Sequence, residues 1–484
     1  MNAGIARASL NICAIFAFYL AAAMLIPSAV DFSMNNPDWK VFGLSALLIG
    51  TISALVAVAS RGSQPTNSTR FTFLLVNMLW LTFALVGSVP FMESTMQMSF
   101  ADAFFESMSG ITTTGATVLT GLDTMPPGLL LWRSILQWVG GFGVIALGLF
   151  ILPFLKVSGS GVFRVESSDR NERPFARFST YAFNMLLIYV ALTLLCAILY
   201  FVAGMSGFDA FNHSMTTVST GGFSTHDASF GFFEQQSIQW IGIVFMLLGA
   251  MPFTTLILIG LKGRFNIFAD HQVPVMLAMV TVLALAMAIQ VDLAGIVDIQ
   301  EGFTKAVFTI VSLVTTTGYA NTDYIQWGGF AMSLVMLATV VGGCSGSTSG
   351  GVKAYRWIIG YKMIRRALDL FIYPNAVRNV RTGMVSVPER IQTVTLLFFT
   401  AYFFLIGVGT VALTLAGMDL FGGFSATLTA LSNVGPGMTE EIGPAGTFTN
   451  LSDGAKWVMA ALMLLGRLEI FAVLVMFSPA LWRY

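Results

Sequence analysis

Long apolar runs separated by short polar connections set the rhythm of this chain. They fall near residues 9–30, 41–60, 71–91, 128–155, 180–203, 237–261, 273–291, 326–342, 391–416 and 455–480. At about 1.5 Å per residue, roughly twenty helical residues cover the ~30 Å hydrocarbon core of a bilayer, so each run can cross once. The run 326–342 is the shortest and least regular. Between runs, a moderately apolar stretch of about ten residues, too short to cross, leads repeatedly into a strip of threonine, serine and glycine. "FFESMSGITTTG" (Phe104 to Gly115) aligns without gaps with "FNHSMTTVSTGG" (Phe211 to Gly222), "VFTIVSLVTTTG" (Val307 to Gly318) and "FSATLTALSNVG" (Phe424 to Gly435). One such strip reads as an ordinary extracellular turn. Four at matching positions are an internal repeat.

Each repeated unit is therefore a span, a half-crossing re-entrant helix, a polar strip and a second span. The pattern predicts an all-α polytopic membrane protein with a two-helix N-terminal extension (1–70). Four repeats follow over 71–160, 178–265, 271–370 and 388–484. Irregular backbone at membrane depth is tolerated only where protein buries it or water reaches it. Four strips arranged around one axis meet that condition. The residues concerned are Thr112, Thr113, Thr114 and Gly115; Ser219, Thr220, Gly221 and Gly222; Thr315, Thr316, Thr317 and Gly318; and Ser432, Asn433, Val434 and Gly435. Their carbonyls and hydroxyls would replace the water shell of a cation, with glycine supplying the positive φ that turns successive carbonyls. The re-entrant helices would aim their negative C-terminal ends at the cavity below.

Composition agrees with the pattern. Hydrophobic residues make up 56% and charged residues only 10%, whereas a soluble domain carries about a quarter charged residues. The net charge is zero, so nothing favours a nucleic-acid partner. Basic residues cluster in three connections: Lys156, Arg164, Arg170, Arg173 and Arg177; Lys262 and Arg264; and Lys353, Arg356, Lys362, Arg365, Arg366, Arg378, Arg381 and Arg390. The positive-inside rule makes these cytoplasmic. The segments bearing Glu93, Asp102, Glu106 and Asp123, and Asp209, Asp227 and Glu234, then face outward, where their field concentrates cations. The first apolar run has no small-x-small cleavage site followed by a soluble mature chain and is expected to be a retained membrane helix. Cys13, Cys196 and Cys344 are widely separated and suggest neither a disulfide framework nor a metal site. His213 and His226 belong to no ligand-spaced cluster, and no nucleophile–base or P-loop pattern supports an enzyme.

Two further features carry chemistry. "GGCSGSTSGG" (Gly342 to Gly351) has five glycines in ten residues, each costing a helix about 1 kcal/mol relative to alanine. Composition alone allows a cytoplasmic linker. Its position, about fifteen residues into a span, instead indicates a mobile intramembrane gating loop (342–352) below the strips. Gly342, Gly343, Gly346, Gly350 and Gly351 would give it freedom, and Lys353 would link it to the cytoplasmic side. Arg467 sits mid-run in "LLGRLEIF", where an intramembrane charge marks a pathway by default. It is expected to face the cavity beneath the strips as a barrier to cations. Glu469, two residues on, points to another face and should pair with a different helix. Asp102 and Asp209 match helix N-terminal positions. Arg133 and Gln137, one turn apart, are either an outer-mouth contact or a packing anchor.

The four strips, with "VGGCSGSTSGGVKAYR" and "LLGRLEIF", resemble the Trk/Ktr/HKT superfamily of potassium transporters, and its TrkH branch most of all. The resemblance spans essentially the whole chain, including the N-terminal helix pair. It implies a bacterial inner-membrane protein whose four pseudo-repeats, each similar to one potassium-channel subunit, surround one pore. It further implies a homodimer resting on a cytoplasmic ring of nucleotide-binding regulatory subunits (TrkA in this branch), with potassium as the bound ion and no organic cofactor. In related proteins, glycine at the key position of every repeat accompanies potassium selectivity, and serine in the first accompanies sodium passage. Here those positions are Gly115, Gly222, Gly318 and Gly435. The fourth strip departs, with Asn433 and Val434 replacing hydroxyl residues and Pro436 following. Ion flow down the electrochemical gradient, proton- or sodium-coupled symport, and a membrane scaffold remain distinct readings at this level. The lack of a mid-span Asp/Glu relay weighs against coupling.

Overall fold

The computed structural model describes residues 3–62, 68–155, 174–263, 266–295, 299–376, 378–382 and 385–483. Among these, the regular secondary structure is helical apart from one hairpin, in which Arg381–Thr382 pairs antiparallel with Val385–Ser386. Two bundled helices, α1 (Ala3–Ala23) and α2 (Leu25–Ser33), with α3 (Trp39–Ala59), form the N-terminal extension. Then the same succession occurs four times. A long helix leads: α4 (Thr69–Glu93), α7 (Pro174–Val202), α11 (Gln272–Leu293) and α15 (Glu389–Leu415). A short one follows: α5 (Phe100–Ile111), α8 (Gly207–Val218), α12 (Ile299–Val314) and α16 (Leu420–Ser432). The returning helices are α6 (Pro127–Leu155); α9 (Gln236–Gly249) with α10 (Phe253–Lys262); α13 (Gly329–Val341) with α14 (Ala354–Ile372); and α17 (Asp453–Arg467) with α18 (Phe471–Leu474). A terminal turn, α19 (Pro479–Arg483), closes the chain.

Ten uninterrupted crossings are not what forms. Among the described residues seven helices are long and apolar enough to cross, or nine if each bent pair counts as one. Segment 237–261 breaks between α9 and α10 with a 104° bend, and 455–480 breaks after Arg467 with a 107° bend. Pro252 explains the first break, since it has no N–H and cannot continue a helix. The second occurs where Glu469 and Ile470 take positive φ values of 58° and 57°. Segment 326–342 yields only α13 before the glycine-rich stretch begins. The basic residues Lys156, Arg164, Arg170, Arg173 and Arg264 lie outside the described residues.

The distribution of polarity is that of a membrane protein. Leu44, Leu47, Leu48 and Leu55 on α3 are exposed, whereas Glu106, Arg133, Gln137 and the threonines of the strips are buried. Lipid accepts leucine at no cost, so polar groups collect inside, where they can find partners.

Candidate functional site

The ends of the short helices are built alike. Ser99 and Ser206 cap α5 and α8 by accepting from the amides of Asp102 and Asp209, and Asp419 caps α16 through Phe421 N and Gly422 N. These caps satisfy orphan amides. At the other end each helix closes in the same two bonds. Thr113 N donates to Gly110 O and Thr114 N to Ser109 O; Thr220 N to Thr217 O and Gly221 N to Thr216 O; Thr316 N to Leu313 O and Thr317 N to Ser312 O; Asn433 N to Ala430 O and Val434 N to Thr429 O. This is the Schellman closure, with a left-handed residue at the turn. Thr113, Thr220, Thr316 and Asn433 supply it at φ of 51°, 51°, 57° and 56°. Glycine is the usual occupant of that position, and asparagine tolerates it better than threonine does. The departure of the fourth strip at Asn433 is therefore locally favourable.

Beyond the turn the four strips meet. A Cβ added to Gly115 would lie 2.3 Å from the Gly221 carbonyl oxygen, and one on Gly222 would lie 1.9 Å from that of Thr317. One on Gly318 would lie 1.8 Å from the Val434 oxygen, and one on Gly435 would lie 2.7 Å from that of Thr114. Each glycine thus abuts the carbonyl preceding the glycine of the next strip, and the fourth returns to the first. The contacts close a ring in chain order. All four glycines have φ between 79° and 106°, a region that side chains other than glycine enter only with strain. One cavity touches Gly115, Gly222, Gly318 and Gly435 together. Rings of this kind offer neutral oxygens in place of a hydration shell, and four helix C-termini add partial negative charge nearby.

Neighbouring strips are joined by different devices. Between the first two, Glu106 on α5 and Arg133 on α6 form an ion pair at 2.8 Å, each essentially inaccessible to solvent. Arg133 also donates to Ser224 O at 2.8 Å, and Gln137 donates to Gly221 O at 2.6 Å while accepting from Phe223 N. Tyr319 of the third strip reaches the hydroxyls of Thr216 and Thr217 on α8. Tyr324 donates to Gly437 O, and Asn433 donates to Thr114 Oγ1 and Met463 O. Close approach behind the strips depends on Gly140 and Gly466, where a Cβ would lie 2.0 Å from Ile111 O and Leu431 O respectively.

Residues 342–353 lie directly beneath the ring, and Ser347, Thr348 and Ser349 are fully buried. Gly342, Gly346 and Gly351 take positive φ, as does Lys353. The segment fills the break between α9 and α10: Cys344 N donates to Ala250 O, and Phe253 N donates to Gly346 O. It then touches three strips. Thr348 bonds the Thr220 hydroxyl, Ser349 and Gly350 N bond the Thr316 hydroxyl, and Gly351 N donates to Ser432 O. Gly343 N is held by the Ser349 hydroxyl.

Arg467 is buried and donates to Thr348 O at 2.9 Å, so it holds this segment from the side. It is the last residue of α17. The expectation of a charge midway along a straight span is corrected by the bend that follows, which turns the chain away just beyond the arginine. Glu469 pairs at 2.8 Å with both Lys353 and Arg356. Thus Lys353 is tied to the last repeat.

The acids expected to face outward are largely paired. Lys456 pairs with Asp102, Arg133 with Glu106, and His226 with Asp123, with Asp209 at 3.4 Å from its other ring nitrogen. Burial acts to lower the pKa of His226, but hydrogen bonding and attraction from Asp209 and Asp123 outweigh it and raise the pKa above its usual value. Asp123 is held below the usual carboxylate range, first by its hydrogen bond with His226. Tyr319 is not singled out by the sequence, and Thr348 counts there only as part of the 342–352 segment. Glu106 as an outward acid, and Gln137 as a mouth contact or packing anchor, are marked in the sequence without the partners found here.

Comparison with known proteins agrees in extent as well as in fold. The family model described as TrkH, a cation transport protein, matches residues 43–484. The chain is 40% identical to the Trk system potassium uptake protein TrkI of Halomonas elongata, covering 98% of this chain and 96% of that one. It is 35% identical to the Trk system potassium uptake protein TrkH of Escherichia coli K12, covering 99% of each. The crystal structure of the potassium transporter TrkH from Vibrio parahaemolyticus superposes with a TM-score of 0.92 at 33% identity, covering 99% of each chain.

Proposed function

The chain belongs to the TrkH family of cation transport proteins, and on that premise we propose that it takes up potassium through the ring of four strips. It is a multi-pass membrane protein of the inner membrane, and it moves an ion rather than converting a substrate. The carrying observation is the closure of the ring in chain order, from Gly115 through Gly222 and Gly318 to Gly435 and back. Residues 71–160, 178–265, 271–370 and 388–484 act as four pore repeats. Thr112 to Gly115, Ser219 to Gly222, Thr315 to Gly318 and Ser432 to Gly435 furnish the selectivity filter. Potassium is the cargo. An inside-negative potential drives it inward, worth about 2.3 kcal/mol per charge per 100 mV.

The segment 342–352 acts as the gate. Its hydrogen bonds to three strips support this, because a segment bonded there obstructs the path below the ring. Arg467 holds it closed through Thr348 O and adds a positive barrier. The assembly is a homodimer on a TrkA-like cytoplasmic nucleotide-binding subunit. An exposed apolar stripe on α14 (Tyr361, Ile364, Leu368, Phe371) offers contact surface on the side read as cytoplasmic.

Rubidium uptake into liposomes containing the purified protein tests the reading, with Gly115→Ser as comparison. Uptake that discriminates against sodium, and weaker discrimination in the variant, is expected. Absence of uptake would refute the pore. Protons or sodium moving in fixed stoichiometry would replace uniport by symport.

A further inference from the structure

Of the four carbonyls that face glycines around the ring, those of Thr114, Gly221, Thr317 and Val434, only that of Gly221 accepts a hydrogen bond among the described residues. Its donor is the side-chain amide of Gln137, at 2.6 Å. The oxygen of the same amide accepts from Phe223 N at 3.0 Å. Gln137 therefore spans Gly222, holding the backbone on both sides of it. A Cβ on Gly221 would fall 2.4 Å from the Gln137 side chain, so the two are packed face to face.

One turn earlier on the same helix, Arg133 extends the grip. Its Nε meets Glu106, its Nη1 meets Ser224 O, and its guanidinium lies over the Phe223 ring at 4.1 Å. Glu106 in turn accepts from Val118 N and the Thr117 hydroxyl of the first strip. Three buried side chains thus clamp the outer arms of the first two strips to one face of α6. All are at most 1% exposed. A buried pair with its remaining bonds satisfied fixes geometry, whereas removing one partner strands a charge.

We propose that Gln137, supported by the Glu106–Arg133 pair, is a positioning residue that sets cation discrimination at the Gly221–Gly222 quarter of the filter. The inference rests on the reading of the strips as a filter. A carbonyl that already accepts a short hydrogen bond has less freedom to turn and offers less electron density to an ion. The ring is therefore unequal at its second quarter, through a neighbouring helix, as well as at the fourth through its own sequence.

The test compares Gln137→Glu, Gln137→Met and Glu106→Gln with wild type and Gly115→Ser. Rubidium and sodium uptake are measured in liposomes, with thermal melting to establish folding. Gln137→Glu keeps size and an acceptor for Phe223 N but places a carboxylate oxygen against Gly221 O. Losing one such bond in a buried site should lower rubidium-over-sodium discrimination by about tenfold, while the protein still folds and passes cations. Gln137→Met and Glu106→Gln should shift discrimination in the same direction. Lower melting temperatures with an unchanged uptake ratio would mean a packing role only and would overturn the proposal. An altered ratio in Gly115→Ser alone refutes the role of Gln137 and leaves the filter standing. Unchanged ratios in every folded variant, Gly115→Ser included, refute both.

Discussion

At the scale of single residues, the ring glycines are constrained twice, by conformation and by space. Gly222 has φ 81° and no room, since a Cβ would sit 1.9 Å from Thr317 O. Gly435 is less crowded, with its nearest oxygen at 2.7 Å. Alanine at a left-handed position costs about 1–3 kcal/mol even before the clash is counted. Gly222→Ala is thus expected to abolish selective rubidium uptake and lower the melting temperature, and Gly435→Ala to do less of both. Equal effects, or a larger one at Gly435, would separate function from the crowding seen here. The repeat was legible in the sequence because four glycines recur in register. The crowding was not, because each glycine is tight against a residue roughly a hundred or more positions away in the chain.

At the scale of elements, the segment 342–352, proposed above as the gate, is held by many small contacts. Each hydrogen bond is worth about 1 kcal/mol, so no single one locks it. Glu469 adds a tie to Lys353 and Arg356, made where Lys353, Glu469 and Ile470 all adopt positive φ. Arg467→Ala removes the bond to Thr348 O together with the positive charge. It should raise rubidium flux about tenfold or more, by the equilibrium shift of about 1.5–3 kcal/mol expected for one charged hydrogen bond. Reduced flux through folded protein would count against a barrier at this position. Outside the membrane, the connection carrying His226 bears on pH. Because the folded-state pKa of His226 is raised, its ion pairs stabilise fully below the unfolded value of about 6.5 and fade as pH climbs through the folded value. His226→Gln should therefore lower the melting temperature most in mild acid and least in alkali. A difference that is flat, or that grows with pH, would contradict the pairing.

At the scale of the whole molecule, four quarters from distant parts of the chain share one ring, so an ion held there would tie them together. Binding to the native state alone stabilises by about 2.7 kcal/mol when the ion is at a hundred times its dissociation constant. Potassium and rubidium chloride should raise the melting temperature of the detergent-solubilised protein more than sodium chloride at equal ionic strength. Equal shifts for all three salts would leave no selective site. The exposed leucines of α3 and the buried polar network around the strips are two faces of the same constraint. Lipid takes up apolar side chains, and only the protein interior can satisfy the polar ones.

The sequence by itself determined the membrane class, the fourfold recurrence and the residues of the strips. These depend on local composition and on spacing along the chain, where hydrophobic length and repeated glycine are direct physical signals. It also marked the glycine-rich interruption and Arg467 as exceptional, since both are costly in a helix within lipid. Tertiary structure alone decided the bends after Gly249 and Arg467, the seat of the 342–352 segment, and the partners of Glu106, Arg133 and Gln137. Each of those outcomes depends on which groups meet across the fold. A backbone carbonyl freed at a break, or a charge buried in a helix, is stable only with a partner, and that partner comes from another repeat.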